Sequence, residues 1–217
     1  MKKKIAVAGS LLATMFALSV PASAGVIFNP TNDPQADEQN IVFNGPGSTA
    51  GPALTVTGRT NQTSTVVAFT SNENLVTPAS GQARVEADDG AFQYLEVYVQ
   101  DGSTFGDLIF NLNTPNALTG TALISVYTTT GLETYNFDVT NGQNFLTILA
   151  TGGSAINKVV IDSSQTNTEL QAIDIDDGRQ FRISGVGGYV PVPEPGTLAL
   201  FGLGLLGIQG LRRKYHK

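Results

Sequence analysis

From Gly25 to Gly188 the chain is a succession of short runs rich in β-branched and aromatic residues, each closed by Gly, Asn, Asp or Pro. No apolar 3.6-residue period is sustained anywhere in this stretch, so a helical core is excluded. The runs fall at 41–44, 53–58, 64–70, 82–87, 92–100, 106–112, 122–128, 133–139, 144–150, 156–162, 170–175 and 179–184. Short strands with turn signals every ~8–12 residues predict an all-β domain, a β-sandwich or jelly-roll-like fold. The polar, Pro-broken segment 29–40 and the Gly/Pro-rich segment 45–52 read as loops.

Two hairpins can be tested by register, because a slip of one residue would turn an apolar face outward. A two-residue loop at Thr130-Gly131 pairs Val126 with Tyr135, Ile124 with Phe137 and Ala122 with Val139, which keeps the apolar side chains on one face. For the last hairpin, a three-residue loop Asp176-Asp177-Gly178 pairs Ile173 with Phe181 and fits better than a two-residue loop.

Composition removes several classes of chemistry. The chain has no Cys, and its one histidine is His216 in the terminal tail. Thiolate nucleophiles, disulfides, Ser–His–Asp catalysis and Cys- or His-based metal sites are therefore excluded from the central domain. Between Asp33 and Glu194 stand 18 acidic residues against Arg59, Arg84, Lys158, Arg179 and Arg182, a formal charge of −13. An acidic surface of this size repels nucleic acid, and no nucleic-acid role is expected.

The two ends differ from the middle. Lys2, Lys3 and Lys4, an apolar stretch from Ile5 to Val20, Pro21 and then Ala22-Ser23-Ala24 before Gly25 have the order of a cleaved secretory signal. Residues 1–24 are read as a signal peptide that engages the secretion machinery, and no Cys follows the site to carry a lipid. At the far end Thr197–Leu211 offers 15 residues, of which only Thr197 and Gln209 are polar. As a helix this is ~22 Å long, against a hydrocarbon core of ~30 Å. Arg212, Arg213 and Lys214 follow it and would stay on the cytoplasmic side.

Pro193-Glu194-Pro195, then the apolar run, then Arg212-Arg213-Lys214 resemble the PEP-CTERM sorting signal of exported bacterial proteins. The resemblance covers the last 25 or so residues and leaves the passenger domain unassigned. It implies processing by an exosortase, a membrane-embedded protease-transpeptidase, near the Pro-Glu-Pro motif. It also implies transient insertion in the inner membrane and delivery to the cell surface or the exopolysaccharide matrix. The prolines keep the motif extended, as a protease substrate must be. Three parts result: a signal at 1–24, an extracellular domain at 25–190, and a tail at 191–217 with its motif at 193–195, apolar helix at 197–211 and basic end at 212–217.

Within the domain, carboxylates are the strong chemical groups that remain. Asp174, Asp176 and Asp177 cluster in sequence around the last hairpin, and oxygen-rich loops of this kind suit Ca²⁺, with Asp37 or Glu38 as partners from the mature N-terminus. The same residues also suit plain turns, and Asp174 can pair with Arg182 across the hairpin. In the run 92–100, Leu95, Val97 and Val99 alternate with Tyr94, Glu96 and Tyr98. The aliphatic set should face the core, leaving Tyr94, Glu96 and Tyr98 as a ligand face able to stack on and hydrogen-bond a sugar. A glycosidase would need two carboxyl groups ~5–9 Å apart in a cleft. The chain has no Trp to line one. The expectation is a non-enzymatic surface or matrix protein, structural or adhesive in exopolysaccharide. A carbohydrate-binding module, calcium-stapled or not, is the first alternative, and a carboxylate-dependent polysaccharide hydrolase the second.

Overall fold

Alternation at period two is what the chain uses throughout, and in the computed structural model it produces strands from one end of the domain to the other. Described are residues 24–78, 84–115, 118–166 and 170–187. The segment before Ala24 read as a signal and the whole tail, including Pro193, Glu194, Pro195, the apolar run 197–211 and Arg212, Arg213 and Lys214, lie outside them.

The strands are β1 (Gly25–Asn29), β2 (Gln39–Val42), β3 (Ala53–Thr60), β4 (Val66–Val76), β5 (Arg84–Ala87) and β6 (Tyr94–Val99). They continue with β7 (Asp107–Asn113), β8 (Gly120–Thr128), β9 (Gly131–Val139), β10 (Asn144–Thr151), β11 (Ile156–Asp162) and β12 (Asp177–Ser184). All neighbours pair antiparallel, in the order β1-β10-β7-β12-β2-β3-β4-β6-β11-β8-β9, with β5 bridging β12 and β4.

Two strands change neighbours part-way along. Asp177–Arg179 of β12 pair with β5, and Arg182 and Ile183 pair with β2; the switch falls at a bulge where Gln180 has φ 55°. On β4, Val67–Thr70 pair with β6, and Leu75 and Val76 pair with β5. The circuit β12-β2-β3-β4-β5 thereby closes like a barrel and leaves two wings, β1-β10-β7-β12 and β4-β6-β11-β8-β9. The wings meet through aromatic side chains. Phe181 of β12 lies edge-on to Phe69 of β4 at 4.8 Å, Phe110 of β7 reaches Phe137 of β9 at 6.4 Å, and Phe28 of β1 stacks on Tyr135 of β9 at 5.0 Å.

The fold departs from the sequence reading in three places. β1 is a strand, although its "GVIFN" directly follows the expected cleavage box; Val26 and Phe28 pack against the core while it ladders onto β10. The stretch 170–175 is not a strand. Its neighbouring backbone groups bond to four different partners: Gln171 O accepts from Thr121, Ile173 N donates to Ser163, Ile175 N to Phe92, and Asp176 N to Asn113. It crosses from one wing to the other, so there is no final hairpin and no Asp176-Asp177-Gly178 loop. Asp177 and Gly178 already belong to β12, where a Cβ on Gly178 would sit 2.7 Å from Phe181 Cζ.

The third departure is the β8–β9 register, which slips by two residues, so that Val126 faces Glu133, Ile124 faces Tyr135 and Ala122 faces Phe137. The side-chain hydroxyl of Thr128 explains it. Its oxygen accepts from the amides of Thr130 and Gly131, at 3.2 and 3.1 Å, and its proton goes to Gly131 O at 2.8 Å, which fixes the turn at Thr129-Thr130. A slip of two keeps every side chain on its face, so the buried set is the one expected.

Candidate functional site: an open aromatic sheet face

The outer faces of the two wings are treated differently. On the first wing, register aligns Asn29, Thr147, Ile109, Arg182 and Asn40 across β1, β10, β7, β12 and β2. The connection from Pro30 to Glu38 lies over this row. Thr147 Oγ1 accepts from Asp33 N at 3.1 Å and donates to Thr31 O at 2.8 Å, and Arg182 reaches both Asn32 Oδ1 and Glu38 Oε2, the latter at 3.2 Å. Ile109 and Asp107 are buried as a result.

This cover has a cost in polar groups. Glu38 Oε1, Asp107 Oδ1 and Arg182 Nε are buried with no hydrogen-bond partner among the described residues. Burial lifts the Glu38 carboxyl above its ordinary range; Arg182 pulls it down, and the charges of Asp107 and Asp33 add to the rise. Burial likewise lifts Asp107, although Ser184 donates to its Oδ2 and Arg182 lies near.

Beside the second wing the outer face of β3 is covered by segment 45–49, where Thr49 bridges to Thr57 and Thr57 Oγ1 donates to Gly47 O. Beyond it the face is open. One row runs Tyr98, Lys158, Tyr127, Leu132 across β6, β11, β8 and β9, and the next runs Glu96, Val160, Ser125, Thr134. Residues directly opposite one another share a face, so these side chains form one surface. Leu95, Val97 and Val99 are buried beneath it, as the alternation in β6 requires. Tyr127 is 42% exposed and Leu132 53%, which makes them two of the five large apolar side chains exposed among the described residues.

The polar groups of this face are linked. The Tyr94 hydroxyl donates to Glu96 Oε1 at 2.5 Å, Lys158 Nζ donates to the same oxygen at 2.9 Å, and Nζ lies 5.0 Å from the centroid of the Tyr127 ring. Burial acts to raise the Glu96 carboxyl, but the bonds from Tyr94 and Lys158 outweigh it and hold the group below its ordinary range. Burial, together with that bond and the Glu96 charge, pushes the Tyr94 phenol up to about 12. Tyr98 lies 3.4 Å from Thr70 Oγ1 through its hydroxyl, and a shallow hollow of about 340 Å³ lined by Glu96, Tyr98, Val99, Gly102, Asn157 and Lys158 opens beside it.

Tyr94, Glu96 and Tyr98, singled out from the sequence, are therefore on one face, but Tyr94 and Glu96 bond each other. Tyr127, Leu132 and Lys158 were missed, because the register that brings three further strands alongside β6 is not written in any one of them. The acidic trio is dispersed among other partners. Asp177 is fully buried against Arg179, whose Nε donates to its Oδ1 at 2.6 Å, and Asp174 accepts from Gln93 Nε2 at 2.8 Å. Asp176 is half-buried just before β12. Among the described residues no group of three or more His, Cys, Asp or Glu side chains could hold a metal ion. Segment 30–38 is fastened to a late strand, but by the Glu38–Arg182 ion pair rather than through Asp174.

The family model for the PEP-CTERM protein-sorting motif matches residues 191–214, which include Pro193-Glu194-Pro195 and end at Lys214. The chain carries a PEP-CTERM sorting tail. The PEP-CTERM motif implies export, exosortase processing and sorting to the cell surface, and it assigns nothing to the passenger domain. No curated protein matches the chain. Among solved structures, a family 29 carbohydrate binding module from Piromyces equi is 10% identical, covering 78% of this chain and 93% of its own, with a TM-score of 0.28. A mutant of a second family 29 module is 14% identical, covering 76% and 92%, with a TM-score of 0.23. Likenesses this low carry no argument about the passenger.

Proposed function

We propose that this is an exported, non-enzymatic surface protein. Its domain is a two-layered, jelly-roll-like β-sandwich, released at the cell surface or into the extracellular matrix after an exosortase acts on the tail. Its role there is structural or adhesive within exopolysaccharide. The observation that carries the reading is the match of residues 191–214 to the PEP-CTERM motif, joined to the secretory order of residues 1–25.

The domain's own geometry supports it. Gly25 pairs with Thr151, Ala150 N donates to Gly106 O, Gly106 N to Ser184 O and Gly187 N to Thr104 O. The first described strand thus begins, and the last ends, at the same pole of the domain. Of the acids that burial pushes upward, Glu38 and Asp107 lie on the covered wing, and Glu73 on β4 lies beside Asp89, whose charge and hydrogen bond add to its rise.

Replacing Pro193-Glu194-Pro195 by three alanines tests the sorting step. Unprocessed protein should accumulate in the inner-membrane fraction, and surface delivery should fall. Normal processing and delivery of that variant would overturn the proposal.

A further inference from the structure

We infer that the open face of β6, β11, β8 and β9 is a binding platform for an uncharged polysaccharide, laid across the strands over Tyr98 and Tyr127. The inference rests on the reading above only for the place where such a polymer is met; the binding itself is a property of the domain.

Four observations carry it. First, the platform keeps Tyr127 and Leu132 exposed, whereas segment 30–38 lies over the Asn29, Thr147, Ile109 and Arg182 row of the first wing and segment 45–49 lies over β3. Second, it presents apolar area at a usable spacing. Tyr98 and Tyr127 stand in one row on either side of β11, two interstrand spacings or roughly 10 Å apart. That separation lets an extended hexose chain place alternate rings on the two tyrosines, and Leu132 prolongs the row on β9.

Third, the polar groups suit hydroxyls. Ser125 and Thr134 stand in the row with Glu96. Both donors to Glu96 end on Oε1, which leaves Oε2 to accept from a sugar hydroxyl. Aromatic faces beside such acceptors fit a pyranose, whose C–H face is apolar and whose rim is hydroxylated.

Fourth, charge selects the class. The domain, residues 25–190, carries −12, a field that repels uronates and sulfated or phosphorylated glycans. Within the two rows the only charged groups are Lys158 and Glu96, which neutralise each other at 2.9 Å. No cation remains in these rows to receive a carboxylate, and the carboxylates of the rows beyond them, Asp162 and Asp138, accept from Ser164, Gln165 and Thr121. Lys158 also lies over Tyr127 and is anchored by Glu96, so the ring is held in place while 42% of the residue remains exposed. An uncharged chain is the polymer this surface matches.

The test is binding of the full chain, purified in detergent, to soluble neutral glucans and mannans and to the neutral fraction of the producing cell's exopolysaccharide, with polyuronate and polyglucosamine as charged comparators. A neutral polymer should bind with little change as salt is raised. Tyr98→Ala and Tyr127→Ala should each weaken binding about tenfold, the size of one aromatic contact. Tyr127→Phe should stay within about twofold, because the stacking face is kept. Ile27→Ala, at an equally exposed apolar residue on the other wing, should bind like the parent.

Three results would overturn the inference: no neutral polymer binds, the charged polymers bind better and lose binding in salt, or both alanine variants bind unchanged with unaltered melting. Because the assay is done in solution on intact chain, a failure of sorting in cells would leave its outcome untouched.

Discussion

Phe181→Ala is the perturbation that most directly probes whether the two wings share one core. Phe181 is 1% exposed and stands between Phe69 at 4.8 Å, on the opposite wing, and Phe110 at 6.0 Å, on the strand beside it. Phe69 in turn meets Phe43 at 5.2 Å, and Phe110 meets Phe137 at 6.4 Å, so Phe181 is the centre of a run of rings from β9 to the residue after β2. Truncating a buried Phe removes its transfer free energy and leaves a cavity, together costing about 3–5 kcal/mol. The neighbour nearest the lost ring on its own strand is Gly178, which has no side chain to move into the space. The expected loss is therefore in the upper part of the range, about 4 kcal/mol. For a domain of this size that lowers Tm by about 8–16 °C. Phe181→Leu, which keeps most of the volume, should cost less than about 1.5 kcal/mol. Urea unfolding followed by far-ultraviolet circular dichroism and tyrosine fluorescence supplies the measurement, with coincident transitions and an unchanged slope expected in both variants. A loss below about 1 kcal/mol, or two separated transitions in the parent, would refute the single shared core.

Two further predictions concern the covered wing. Arg182→Ala leaves Glu38 buried and unpaired and should cost about 3 kcal/mol in urea, whereas Glu38→Gln should cost under about 1 kcal/mol, because burial already works against the charged form. Asp107 has a folded pKa above its unfolded value, so the folded state binds the extra proton in the interval between them. Its contribution is most favourable below the unfolded value and is lost as pH rises through the folded one. Asp107→Asn should remove that slope from the parent's profile of Tm against pH, and a parallel profile in the variant would contradict the assignment.

How much of this was legible in the sequence depended on whether the signal was local. Burial of Leu95, Val97 and Val99 followed from alternation within six residues, and the β8–β9 pair followed in its faces though not in its register. The slip came from the Thr128 hydroxyl, whose competition for the turn amides no hydrophobic pattern reports. The reading of 170–175 as a strand failed because Leu170, Ile173 and Ile175 are indeed buried, but the backbone groups of Gln171, Ile173, Ile175 and Asp176 bond four separate partners. Alternation tells which side chains go inward and not where amides find acceptors. Asp177 looked like a turn residue beside a glycine, yet it is a strand residue neutralised by Arg179. The open platform was half visible: Tyr94, Glu96 and Tyr98 share one strand, whereas Tyr127, Leu132 and Lys158 join them only through register across β11, β8 and β9. That loop 30–38 would cover one wing and leave the other bare is long-range information that composition does not contain.

The central claim is that the tail is a sorting device and the domain its released cargo. The intact mass of the protein recovered from the cell surface tests this most directly. The account predicts a chain that begins at Gly25 and ends near Pro193-Glu194-Pro195, without the apolar run 197–211 and the basic end. A surface-recovered protein that still ends at Lys217 would contradict it.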